Sequence, residues 1–386
     1  MAHDPIVHSP ASGLPAERAL VALILAAFPL DGIRPAAPSL NEGEWAEVAS
    51  TAAGHGLKPL LNTAAKSLGA QVSPPPAVMA DLRAAYFRTE AANLAVHQEL
   101  GALLSAFAHE GIAVVVLKGA ALAVTLYADM GVRPMVDVDL LVRQEDFARG
   151  GSVLRAARYE RLRQPLAGTG AEFDGAEELR RPGGVRSVDL HWHPFASSYS
   201  RARFPVEWFW QYSVAAPALG PTARVLSAEA QLLHLCAHFA KHTAGRLFRS
   251  YDIALLIARH HDTLAWDAVM EAAGAYRVMP ALCQTLLNVC DVWHLSLPAD
   301  VLARLKAFRP QPLQAALFAI IYAPPTNIAL LLNGFYQPGL RKKLAYWLGP
   351  AFPSAAYMRQ RYHIPHPALL PLFYLRRLAG GAYQAL

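Results

Sequence analysis

The run Met135-Val-Asp-Val-Asp-Leu-Leu-Val142 places two carboxylates two residues apart inside a Val- and Leu-rich segment. Such a segment reads as a β-strand. Side chains on a strand alternate between faces, so Asp137 and Asp139 project together, about 7 Å apart along the chain. Any fold that buries this strand buries two like charges side by side, which is costly unless something positive lies between them. A divalent cation is the natural candidate, because Mg²⁺ is held by one or two carboxylates together with substrate phosphates.

The rest of the chain supplies the frame for that strand. At 386 residues two or three domains are expected. Apolar residues recur with a period near 3.6 at Pro15–Phe28, Asn41–His55, Pro59–Leu68 and Ala77–His109, which predicts helices. At Ile112 the texture changes. Ala113–Leu117 is a β-branched run and reads as a buried strand, followed by a helix over Ala120–Tyr127. The strand Val136–Val142 comes next, then a helix over Glu145–Ala157, a short strand at Tyr159–Leu162, a loop-rich stretch from Gly168 to Gly184, and a strand at Arg186–Trp192. From Ser227 onward the pattern is helical again. The predicted fold is α+β: a helical region over 1–110, a small mixed-sheet core over 111–215 and a second helical region over 216–386.

Composition narrows the classes. Hydrophobic residues make up 54% and charged residues 17%, ample material for a core. No apolar stretch reaches the length needed to span a bilayer, and no basic segment precedes an apolar one at the N-terminus, so no secretory signal is expected. Cys236, Cys283 and Cys290 show no metal-type clustering and suit a reduced interior, which makes the cytoplasm the default compartment. The net charge of +6 fits ordinary surface balance, and no zinc finger, RGG tract or basic heptad argues for nucleic acid. Positive charge and aromatics concentrate near the C-terminus, at Arg341-Lys342-Lys343, Tyr346-Trp347, Arg359 to Tyr362 and Tyr374 to Arg377. That tail is either a peripheral membrane or partner surface or the solvated side of apolar helices.

Other residues bear on chemistry. Asp189, in Arg186-Ser-Val-Asp-Leu-His-Trp192, joins Asp137 and Asp139 if its strand neighbours theirs; otherwise it is a strand-end acid paired with Arg186 or an exposed edge residue. Lys118-Gly119 ends the first strand. Glycine permits close approach of backbone to a phosphate, and the following helix start offers amide N–H groups to an anion. Lys118 then contacts a triphosphate or is merely a solvated strand end. Arg133 either neutralises phosphate or pairs with an acid such as Asp129. His191 and Trp192 read as strand packing near the site.

These segments together, Val116-Leu-Lys-Gly-Ala-Ala-Leu122, Leu126-Tyr127, Arg133 to Val142 and Val188-Asp-Leu-His-Trp192, resemble the uncharacterised nucleotidyltransferase family within the DNA polymerase β-like superfamily, over about residues 90–262. The resemblance implies a nucleotidyltransferase core using Mg²⁺ or Mn²⁺ and an NTP, ATP foremost. Asp137, Asp139 and Asp189 would be metal-binding and catalytic, and Lys118, Gly119 and Arg133 would hold phosphates. It also implies transfer of NMP to an unidentified small-molecule, peptide or glycan acceptor, with release of pyrophosphate. Two departures stand out. Ala120 takes the place of the usual Ser or Gly after Gly119, and the interval from Gly119 to Asp137 is long. They support a rival reading, an inactive scaffold in a biosynthetic complex.

His234, His238 and His242 fall at i, i+4 and i+8 and share a helix face. The Glu of the zinc-protease pattern is missing. In the resembled family His238 and His242 recur with Arg246 and Asp252, which implies that they line the acceptor side or contact the nucleotide; the other reading is a polar network between helices.

Overall fold

In the computed structural model, which describes residues 15–32, 34–162, 173, 175–241, 247–322, 327–349 and 352–379, a mixed seven-stranded sheet lies between helical layers. Its strands are β1 (Val114–Leu117), β2 (Asp137–Leu141), β3 (Glu160–Arg161), β4 (Ala176–Arg180), β5 (Ser187–His191), β6 (Ser213–Ala215) and β7 (Ala223–Leu226). Their order across the sheet is β3-β4-β5-β2-β1-β7-β6. β1 runs antiparallel to β2 and parallel to β7, and β2 runs parallel to β5. The α+β class expected from the sequence is the class observed.

The N-terminal helices Pro15–Ala27, Glu42–His55 and Lys58–Leu68 follow the apolar period. Asn41 opens the second of them with a capping box: its side chain accepts from the Glu44 N–H, and the Glu44 carboxylate accepts from the Asn41 N–H. The helix Pro76–His109 has 34 residues and is roughly 50 Å long at 1.5 Å per residue. That length lets it serve two cores. Leu82 packs with the N-terminal and C-terminal helices, while Leu100, Leu103 and Phe107 pack under the sheet.

Alternation along the strands decides which core each residue joins. Val115, Leu117 and Leu141 face the helices Ala228–Lys241, Leu247–Arg259 and Met279–Trp293. Val114, Val116, Val138, Leu140, Val188 and Leu190 face the end of the long helix and the helix Phe147–Ala156. With both faces covered, the central strands read as nearly unbroken apolar runs. Asp137, Asp139 and Asp189 break that pattern, and all three lie on the face toward the C-terminal helices.

Two features differ from the sequence expectation. β4 lies inside the stretch read as loop-rich. Only Leu179 of its five residues is buried, so its own pattern is mute; backbone pairing with β5 makes it a strand. β7 pairs with β1 and carries the sheet past residue 215, to Leu226.

His234, on the helix Ala228–Lys241, is buried beside the rings of Phe195 and Phe209. Burial, then the nearby Lys118 ammonium, holds its imidazole down to about 3 against an ordinary 6.5. The unfolded chain therefore binds a proton that the folded chain refuses between those values. The corresponding stability is complete above pH 6.5 and falls as the pH drops toward 3, by about 2 kcal/mol at pH 5 for this one group. Urea denaturation at pH 7 and pH 5 is expected to show a smaller pH difference for His234→Gln than for the native chain. Equal differences in the two proteins would remove His234 as the cause.

Candidate active site

β2 and β5 pair in register with Asp139 beside Asp189, and β1 sets Leu117 beside Asp139. The sheet thus brings Asp137, Asp139 and Asp189 to one face, and the next residue of β1, Lys118, arrives against them. The Asp139 side chain is fully buried, and its Oδ1 accepts from Lys118 Nζ at 2.5 Å and from His191 Nε2 at 2.8 Å. Its Oδ2 and Asp189 Oδ1 are buried with no hydrogen-bond partner. Asp139, Asp189 and His191 each offer a ligand atom within 4.8 Å of the others. Asp137 is less buried than Asp139. With Lys118, Asp189, His238, Phe248 and Arg249 it lines a cleft of about 340 Å³.

The electrostatics follow from this crowding. Burial opposes the charge on Asp139, but Lys118 and His191 outweigh it and hold the carboxyl far below the usual carboxylate range. Burial also opposes the Lys118 charge; Asp139, with Asp137 and Asp189 behind it, overcomes that and keeps the ammonium above the ordinary lysine value. The outer two carboxylates fare differently. Burial first, then Asp139 and Asp137, pushes Asp189 up to about 7. Burial and Asp139 likewise raise Asp137, against Lys118, Arg133 and Arg249. Three carboxylates share the Lys118 ammonium, Arg133 and Arg249 also offset Asp137, and two carboxylate oxygens still lack partners. That donor set fits a hard divalent cation.

Lys118 has φ +44, a left-handed conformation that costs a non-glycine residue on the order of 1–2 kcal/mol. This sharp elbow turns β1 into the helix Lys118–Thr125 and drops the ammonium onto Asp139. Gly119 has a different reason to be glycine. A Cβ there would meet Arg133 Nη1 at 2.9 Å. Arg133 does not pair with Asp129, as one sequence expectation had it. Its Nε and Nη2 donate to Asp252 of the helix Leu247–Arg259, at 2.9 and 2.7 Å, and Tyr127 OH donates to the same carboxylate at 2.7 Å. Asp129 accepts instead from Tyr86 OH and the Gly131 N–H. On the opposite side Asn93 of the long helix donates to the carbonyls of Met130 and Arg133. The segment from Tyr127 to Arg133 is therefore clamped between two helices.

Arg186 does not neutralise Asp189 either; its guanidinium donates to the carbonyls of Met135 and Val185. His238 reaches the cleft, whereas His234 is buried among aromatics. His242 and Arg246 lie outside the described residues. Among the described residues this helix face joins no cluster of metal-type ligands. His191, expected from the sequence as strand packing near the site, contacts the buried Asp139 carboxylate directly. It follows Asp189 by two, so the same alternation that pairs Asp137 with Asp139 puts it on the carboxylate face.

A family model for an uncharacterised nucleotidyltransferase matches residues 41–293, more than half of the chain. The chain belongs to this family. No curated protein matches it. The crystal structure of an antigenic nucleotidyltransferase-like protein from Paracoccidioides brasiliensis is similar at 16% identity, covering 53% of this chain and 94% of that one, with a TM-score of 0.31. Membership of a nucleotidyltransferase family supports nucleotidyl transfer as the general activity, with an NTP as the general substrate.

The Arg133–Asp252 pair is buried on both sides, with side chains 8% and 1% exposed. Removing one partner strands the other charge, at a cost of about 3–5 kcal/mol. Asp252→Ala is expected to lose stability of that order in urea denaturation. Adding Arg133→Met should restore part of it, because no unpaired charge is then buried. Additive losses in the double variant would show that the pair is not coupled.

Proposed function

We propose that the chain is a Mg²⁺-dependent nucleotidyltransferase that moves NMP from an NTP to an acceptor bearing a hydroxyl or phosphate group. The observation that carries this reading is the face formed by Asp137, Asp139 and Asp189, with two buried carboxylate oxygens lacking partners beside an open cleft. Asp139 and Asp189, whose ligand atoms lie within reach of each other, would hold the ion with Asp137 on the same face, and the ion when bound would supply charge neutralisation for the phosphates and the attacking oxygen. The acceptor oxygen attacks the α-phosphorus, its proton passes to the Asp189 carboxylate, the bond from the α-phosphorus to the bridging oxygen breaks, and pyrophosphate leaves with the bonding electrons.

The remaining residues act on position. Lys118, at the elbow, and the first amides of the helix Lys118–Thr125 sit where an anion would enter. His238 lines the cleft, and the family resemblance assigns His242 to nucleotide binding with it. Gly119 keeps space for Arg133, and Arg133 holds the cleft wall against Asp252. The acceptor is a small molecule, peptide or glycan rather than nucleic acid, and ATP is the first NTP to test.

Label from an α-³²P-NTP is expected to reach an acceptor pool while label from the γ-position is not. Asp137→Asn and Asp189→Asn should each lower that transfer on the order of 10²–10³-fold, with unchanged circular dichroism. A folded double variant with native activity would discard the assignment.

A second reading has its own observation. The Lys118–Asp139 contact neutralises the innermost carboxylate from within the chain, and Ala120 departs from the family's loop. A scaffold that keeps the core without chemistry fits both. Calorimetry separates the two readings: the transferase binds MgNTP at millimolar concentration or below, and the scaffold does not.

A further inference from the structure

Asp300 is the last acidic residue of the chain. Of the 35 basic and 29 acidic side chains, ten basic and no acidic ones follow it. The body preceding it is therefore net acidic, and the whole positive balance of the protein resides in its C-terminal helices. The same stretch holds most of the large apolar side chains that the described residues expose.

Each of three short helices shows the same arrangement. On Asn327–Phe335, Ile328, Leu331 and Phe335 form an exposed stripe at i, i+3 and i+7, while Asn333 on the opposite side accepts from Ser197 and Ser198 of the body. On Gly339–Leu348, Leu340, Leu344 and Leu348 face out at 71%, 44% and 52% exposure, while Tyr346 opposite them is buried against Phe173. On Leu370–Ala379, Leu372 and Leu375 are exposed, while Tyr374 OH and Arg377 turn inward to Pro353 O and Tyr362 OH. An amphipathic helix ordinarily turns its apolar stripe to the core. Here polar or aromatic anchors take the inner side and leucines face solvent, and Arg341, Arg359, Arg361 and Arg376 of the same C-terminal stretch are exposed as well.

We propose that this surface is a docking face for an anionic lipid bilayer, on which the three helices lie in the interface plane. The charge decides the occupant. A second copy meeting the same face would set like charges against each other with no acid to pair them. Nucleic acid would satisfy the arginines and leave the leucines in water. An anionic headgroup layer over acyl chains satisfies both. The helices have nine or ten residues, and among the described residues none is long and apolar enough to cross a membrane, so they lie on the surface and do not span it.

The test is flotation of the full chain with vesicles of phosphatidylcholine alone and of phosphatidylcholine with 30% phosphatidylserine, at 0.1 M and 0.5 M NaCl. Binding is expected only to the anionic vesicles and should weaken at high salt. The triple variant Leu340→Ser, Leu344→Ser, Leu348→Ser changes exposed residues only and should lose the binding. Arg341→Ser, Arg359→Ser and Arg376→Ser together should weaken it by about 10²-fold. The proposal is overturned if the native chain fails to float with anionic vesicles at millimolar lipid, or if the leucine variant binds as well as the native chain. It is also overturned if sedimentation shows a stable dimer that the leucine substitutions dissociate, or if the face captures polyanionic RNA but no vesicles.

Discussion

A fully buried carboxylate in the middle of a sheet is the constraint on which the other local features depend. Asp139 has no water to solvate it, so the chain must bring charge and hydrogen bonds to it from within. Lys118 does so only because β1 ends one residue earlier, beside Asp139, and because the backbone then turns through a left-handed elbow. His191 does so because β5 runs parallel and in register. The strain at Lys118 has no local advantage; the contact with Asp139 is what holds it.

The clamp around the preceding loop extends the same logic outward. Asp252 fixes Arg133 and Tyr127 from the C-terminal helices, and Asn93 fixes the carbonyls of Met130 and Arg133 from the long N-terminal helix. Both helical regions therefore act on the approach to β2. Gly119 completes the arrangement, since a side chain there would push on a guanidinium that Asp252 holds in place.

The sequence made one half of this legible. Period-two alternation placed Asp137 and Asp139 on one face, and the helical periodicity located nearly every long helix, because both signals are local. Asp189 was conditional on which strands neighbour each other, and that is a property of topology. Lys118 as the counter-ion depended on the antiparallel pairing of β1 with β2. The Arg133–Asp252 pair joins residues more than a hundred positions apart, and nothing near Arg133 distinguishes Asp252 from the nearer Asp129. β4 was invisible because four of its five residues are not buried, so no apolar alternation marks it.

The contact between Lys118 and Asp139 bears on whether such a face keeps its chemistry. One ammonium satisfies one oxygen of one carboxylate. Asp139 Oδ2 and Asp189 Oδ1 still lack partners, and burial with mutual repulsion raises the affinity of both Asp137 and Asp189 for protons. Each of those conditions destabilises the folded chain. A scaffold with no reaction to perform would gain stability from Asn or Val at either outer position. It would need neither the left-handed elbow nor the cleft beside it. Retaining all of them is reasonable when the uncompensated charge serves a cation and a nucleotide, and that weighs toward the transferase over the scaffold.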